Sequence, residues 1–182
     1  VSAMASSWQG QFRANTNQVF TGNGVITGDV TMGWISSISP ALRRSTNGNR
    51  PNDFISQALW LSNDLAGTLT FTNNLSETGG ATNWFALSQY PNGGIGTNDM
   101  VVVGGNLSFT GTNDVILANQ FMNYNSLGVG VYTLFKYFGT LTLGDDTPGG
   151  VLTRNLRLPQ RVNGYLTNDA DQSRIDLVVT GA

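Results

Sequence analysis

The sequence predicts an all-β protein, a parallel β-helix of short stacked strands, with a β-sandwich or jelly roll as the alternative. Three observations predict it. Apolar residues come in bursts of three or four, best seen in Met100–Val103, Leu107–Phe109 and residues 115–117. The separators, Gly104-Gly105-Asn106 and Gly111-Thr112-Asn113, are turn chemistry, because Gly and Asn reach positive φ cheaply and let the chain bend and resume extended structure within a few residues. Glu77 and Lys136 are the only glutamate and the only lysine in the chain, and these are the residues that normally populate exposed helix faces. Sandwich strands are longer and alternate more strictly than these bursts, which favours coils with corners over hairpins.

Near the N-terminus Trp8, Gly10 and Phe12 alternate with Gln9, Gln11 and Arg13, the period of a half-buried strand. Residues 1–20 are expected to form an N-terminal arm, either a cap or a strand exchanged with a neighbour. Thr21-Gly22-Asn23-Gly24 and Gly28-Asp29 then punctuate strands of two to four residues. Pro40, Pro51, Arg43, Arg44 and Arg50 mark residues 36–53 as a protruding loop. Residues 54–65 read as strand over helix, although Asn52 or Asp53 could cap a helix there. Further strands are expected at 69–72, 84–87, 131–138, 139–144, 152–158 and 175–180, the last preceded by an acidic loop with Asp169 and Asp171. At roughly twenty residues per coil the chain makes about eight coils and a rod on the order of 40 Å long, with Asn side chains laddering between coils. The whole chain of 182 residues reads as one solenoid domain.

Composition excludes several function classes. There is no Cys and no His, so disulfides, thiolate metal sites and the commonest general base are absent. Nine basic against eleven acidic residues provide no positive field for nucleic acid or an anionic membrane, and no apolar run is long enough to span a bilayer. Ala3-Met4-Ala5 has the small-residue pattern of a signal-peptidase site, and it reads equally as a chance run.

The run GTLTFTNNL from Gly67, then Asn83-Trp84-Phe85-Ala86-Leu87, then NDMVVVGGNLSFTGTNDVIL from Asn98 and GVYTLFKY from Gly130, resembles the autotransporter-associated β-strand repeats of exported β-helical surface proteins, a module also found in PEP-CTERM-type proteins. Ile38-Ser39-Pro40 is similar to the family's strand-ending turn, with Ala41 where Gly is expected. The likeness covers residues 20–144 and the terminal strand 177–181. It implies export, a right-handed β-helix and an extracellular or cell-surface location, and it implies no single chemistry. The family's translocator barrel and sorting tail do not occur in these residues, so the chain is expected not to be anchored by itself.

The best catalytic lead, Gly144-Asp145-Asp146, matches the acid–base run of β-helical polygalacturonases, but the companion His motif cannot exist here. A turn before Pro148-Gly149 explains those carboxylates better. Asn168, Asp169 and Asp171 offer hard oxygens without calcium-loop spacing, and read as a solvated loop. The arginines 43, 44 and 50 lack the acidic cluster that lyase chemistry needs. Trp34, Trp60, Trp84 and Tyr90 could stack on sugars, and core packing explains most of them as well. The sequons at Asn74 and Asn106 matter only in a glycosylating pathway. No catalytic, cofactor or metal site is therefore expected, and a polysaccharide-degrading enzyme ranks last.

The expected function is structural: an exported subunit that forms a homopolymer, a filament or surface layer, by end-to-end β-stacking or strand donation. The candidate subunit interface comprises Trp8 and Phe12 in the arm and Ile175, Leu177, Val178 and Val179 in the last strand. The alternative is a carbohydrate-binding or adhesive module with surface glycans as partner, whose mark is a row of exposed aromatics.

Overall fold

Each apolar burst becomes a strand because its alternate side chains find a common interior while the Gly and Asn corners turn the chain. The computed structural model describes residues 11–14, 16–40, 66–91, 98–117, 127–144 and 156–181. These contain sixteen strands and no helix, so the protein is all-β. In order they are β1 (Gln11–Ala14), β2 (Val19–Thr21), β3 (Gly24–Ile26), β4 (Asp29–Met32), β5 (Ser37–Ser39), β6 (Thr68–Phe71), β7 (Leu75–Glu77) and β8 (Thr82–Phe85). They continue with β9 (Met100–Val103), β10 (Leu107–Phe109), β11 (Asp114–Leu117), β12 (Gly130–Tyr137), β13 (Leu141–Leu143), β14 (Leu156–Arg157), β15 (Asn163–Asp169) and β16 (Arg174–Gly181). No helix among the described residues is long and apolar enough to cross a membrane.

The strands sort into three sheets, ordered β1-β4-β7-β10-β13, β2-β5-β8-β11-β14 and β3-β6-β9-β12-β16-β15. Up to β14 every third strand returns to the same sheet and pairs in parallel with the one before it. The end of the third sheet departs from this rule. There β15 and β16 form an antiparallel hairpin, and β16 lies antiparallel on β12.

Register puts like positions above one another. Phe12, Val30, Leu75, Leu107 and Leu141 occupy one row of the first sheet, and Ala14, Met32, Glu77, Phe109 and Leu143 the next row on the same side. The three sheets enclose the core between them, as two aromatic clusters show. Phe12, Phe20 and Phe71, one from each sheet, pack edge to face, with ring centroids 5.4 and 5.9 Å apart. Phe85, Phe109 and Phe135 do the same at 5.3 Å for both contacts.

The corner leading into the first sheet is held by side chains that reach along the stack. Asp29 Oδ1 accepts from the backbone N–H of Asn74 at 3.2 Å and from Asn74 Nδ2 at 2.9 Å. Asn74 Oδ1 accepts from the N–H of Asn106 at 2.8 Å, and Asn106 Oδ1 from the N–H of Thr140 at 2.8 Å. The ladder expected from the sequence is thus present, and it explains the glycines beside it. A Cβ on Gly105 would stand 2.5 Å from Asn74 Oδ1 and 2.9 Å from the Asn73 carbonyl carbon, and one on Gly139 would collide with Asn106 Oδ1. Gly105→Ala is accordingly expected to lower stability by about 1–3 kcal/mol through overpacking and loss of a ladder bond, read as a lower urea midpoint.

Several expectations are corrected. Among the described residues each of the first two sheets has five strands, not about eight, and at ~4.8 Å per strand these span about 20 Å. The first round keeps to the expected length, Gln11 pairing with Asp29, but the later ladder partners lie 45, 32 and 34 residues apart, so those rounds are longer than twenty residues. The loop expected at 36–53 does not start at residue 36: Ser37–Ser39 is β5, and Ser36, Ile38 and Ser39 are buried. Residues 11–14 and 19–21 of the expected N-terminal arm or capping strand are β1 and β2, which pair with β4 and β5 at one end of their sheets. Residues 41–53 of that loop, and the strand expected at 54–65, lie outside the described residues.

Candidate functional site

Several polar side chains among the described residues serve the backbone. Asp99, just before β9, is fully buried; its Oδ1 accepts from the N–H of Gly67 at 2.8 Å and its Oδ2 from the N–H of Ala86 at 2.7 Å. Asp114 lies 3.9 Å from Arg157 across the β11–β14 pair. Asn74 and Asn106, the sequon asparagines, spend their amides in the ladder. Asp145, Asp146, Arg43, Arg44, Arg50 and Trp60 lie outside the described residues. Among the described residues no three carboxylates come together in a way that could hold a metal ion.

Among the described residues the exposed aromatics do not form the row that an adhesive surface predicts. Trp34 stands at the β4–β5 corner, Tyr90 after β8, Phe138 at the β12–β13 corner and Tyr165 on β15, which belong to different corners and sheets. Trp84 is buried.

The outer face of β12, β16 and β15 carries an open depression that gathers polar groups, about 450 Å³ and lined by Val131, Thr167, Asn168, Asp169, Asp171, Arg174, Asp176 and Val178 among others. Alternation along β16 sends Ile175, Leu177 and Val179 into the core and Arg174, Asp176 and Val178 to this face. Arg174 is held at both ends, its guanidinium 3.0 Å from Asp169 Oδ2 and 2.8 Å from Asp176 Oδ2. Asp176 is buried despite facing outward and accepts from the Thr133 hydroxyl at 2.8 Å. Burial raises its pKa above the ordinary carboxylate range, opposed by the Thr133 bond and the Arg174 charge. Tyr165, half exposed, stands beside Val178 in the adjacent row.

The residues chosen as subunit interface divide sharply. Phe12 is half-buried on β1, the edge strand of its sheet, where an interface residue is expected to be. Trp8 lies outside the described residues. Ile175, Leu177 and Val179 are core, no more than 1% exposed, and Val178 is half-buried on the outer face. Their strand is not an edge, because β15 folds back beyond it. The acidic loop expected before β16 is also corrected, since Asp169 ends β15 and only residues 170–173 turn the hairpin.

Two features were missed by reading the sequence. One is the set of half-covered apolar side chains that, together with the expected Phe12, flank the core: Ile26 in the first round, and Leu141, Leu143, Leu156, Leu158 and Val162 in the last. The other is a buried polar pair, Glu77 on β7 and Asn83 on β8, each fully enclosed, with Asn83 Nδ2 donating to Glu77 Oε2 at 2.9 Å. Alternation alone places Glu77 on the side of Leu75 and Asn83 on the side of Phe85, and that was the available signal.

Fold and site together define an all-β protein of three sheets with parallel strand stacking and an antiparallel hairpin at one end. No family profile, curated protein or solved structure matches the chain.

Proposed function

We propose that the chain winds as a right-handed, single-stranded parallel β-helix and works as an extracellular structural subunit that joins copies of itself end to end into a filament or surface layer. The return of every third strand to the same sheet in parallel supports the β-helix, and right-handed crossover is the general rule for parallel strands. The observation that carries the assembly reading is the placement of the half-covered apolar residues in the first and last rounds, beside the edge strands β1, β2 and β3 at one end and β13 and β14 at the other. An edge strand with apolar neighbours is a template for a further strand, and proteins that do not use such edges usually block them with charge or bulges. The resemblance to exported surface repeats supports a location at the cell surface. A short charge inventory without His leaves a structural role better supported than an enzymatic one.

Negative-stain microscopy of the purified full chain tests this. Filaments or end-to-end oligomers are expected, and Leu143→Lys, which puts an inward-pointing charge on edge strand β13, is expected to leave monomers with an unchanged circular dichroism spectrum. Monomers of the unaltered chain at every concentration would sink the reading. The second reading, a glycan-binding module, is favoured by the depression that holds the Arg174–Asp176 pair and is bordered by Val178, across from which the exposed Tyr165 stands on β15. A glycan array that lights up for the monomer, and dims in Tyr165→Ala, would favour it.

A further inference from the structure

Among the described residues a buried polar pair interrupts the apolar inward rows of the stack, and the assembly reading does not use it. On the first sheet the row runs Met32, Glu77, Phe109; on the second, Asn83 is aligned with Ile38 and Val115. Glu77 and Asn83 are both at zero exposure. Asn83 Nδ2 donates to Glu77 Oε2 at 2.9 Å and approaches the Asp114 carbonyl oxygen at 3.5 Å. Two oxygens of the pair then remain without a partner, Glu77 Oε1 and Asn83 Oδ1.

The identity of the orphans is informative. An ionised carboxylate has only acceptors, and the Asn amide brings one acceptor and one NH₂ group. With the NH₂ already committed, an ionised pair leaves an acceptor on each partner and no donor for either, which is costly in an enclosed apolar site. One proton resolves both. Placed on Oε1 it makes an O–H that donates to Asn83 Oδ1, while Nδ2 continues to donate to Oε2, closing the two-bond ring of a carboxylic acid against an amide. No third group is needed.

We propose that Glu77 is neutral in the folded protein, joined to Asn83 as a cyclic acid–amide pair, and that its ionisation is a built-in switch loosening the β7–β8 layer of the stack as pH rises. The groups that face it support a proton rather than a counter-ion. Met32 of β4 and Phe109 of β10 flank it, Asn83 of β8 is its polar partner, and among the described residues no charged side chain contributes to its environment. Consistent with that geometry, burial pushes its carboxyl from 4.5 up to about 7, the Asn83 hydrogen bond opposing the shift.

Because Glu77 is the only glutamate in the chain, the test needs no substitution. The full chain, labelled with carbon-13 at the glutamate carboxyl, gives a single resonance whose titration reports this one group. The expected midpoint is near 7 instead of 4.5, accompanied above it by loss of amide hydrogen-exchange protection in β7 and β8. In Glu77→Gln, which keeps an uncharged pair, protection in those strands is expected to persist across the same range. A midpoint in the ordinary carboxylate range would overturn the neutral pair. A loss of protection that is equal in the unaltered chain and in Glu77→Gln would overturn the switch.

Discussion

Phe135→Ala is expected to lower stability by about 3–5 kcal/mol, the range for truncating a fully buried phenylalanine where the surroundings cannot close the cavity. The reason for the upper part of that range is architectural. Phe135 comes from β12, and its ring meets Phe85 of β8 and Phe109 of β10, each at 5.3 Å and nearly perpendicular. These are the three walls around the core, each tied to its neighbours by strand pairing above and below, so none can shift inward without breaking ladder bonds. Urea unfolding supplies the measurement. Phe138→Ala is the control: only three residues away, it is 65% exposed at a corner with Lys136 Nζ 5.4 Å from its ring centroid, and its loss is expected to change stability by no more than about 0.5 kcal/mol. Similar costs at the two positions would show that the three-walled core is wrong.

The contrast between those two phenylalanines shows what could be read from the sequence and what could not. The bursts at Met100–Val103 and Leu107–Phe109 are β9 and β10 with unchanged bounds, and residues 115–117 fall in β11, because an apolar burst between Gly and Asn corners has one stable use. The ladder was legible for the same local reason. Leu75–Glu77 was missed because a three-residue strand with one apolar residue gives no burst; its place is assigned by the strands above and below it. Asn163–Asp169 was missed because its outer residues are polar, and only pairing with β16 makes it a strand.

A chain end rich in apolar residues is not the same thing as a sheet edge. Ile175, Leu177 and Val179 form an apolar run near the C-terminus, and such a run suggests an adhesive surface. In the fold it reflects the opposite situation: β16 is flanked by β12 and β15, and these side chains fill the core. Half-covered residues such as Phe12 and Leu143 are less conspicuous in the sequence because they are single inward positions on short strands. Long-range pairing decides which apolar residues end up at an open edge, and a local pattern carries no record of it.

Stability is expected to fall by about 3 kcal/mol between about pH 4.5 and pH 7, in the direction opposite to that of an ordinary ion-paired carboxylate. Below 4.5 the Glu77 carboxyl is protonated in both the folded and the unfolded chain and contributes nothing to the difference. Between 4.5 and about 7 the folded chain retains a proton that the unfolded chain has released, so unfolding is favoured as pH rises, by about 1.4 kcal/mol for each pKa unit. Above about 7 both states are ionised, and the full loss is present and constant. Asp176, also raised by burial, acts with the same sign, and its share remains when Glu77 is replaced. Urea midpoints measured at about pH 5 and pH 8 should therefore differ in the unaltered chain and converge in Glu77→Gln, apart from the Asp176 contribution. The variant should match the unaltered chain at the acidic end and exceed it at the basic end, because the glutamine amide can donate to Asn83 Oδ1 without having to lose a proton. An unaltered chain that is more stable at pH 8 than at pH 5 would mean that Glu77 does not carry its charge into the core.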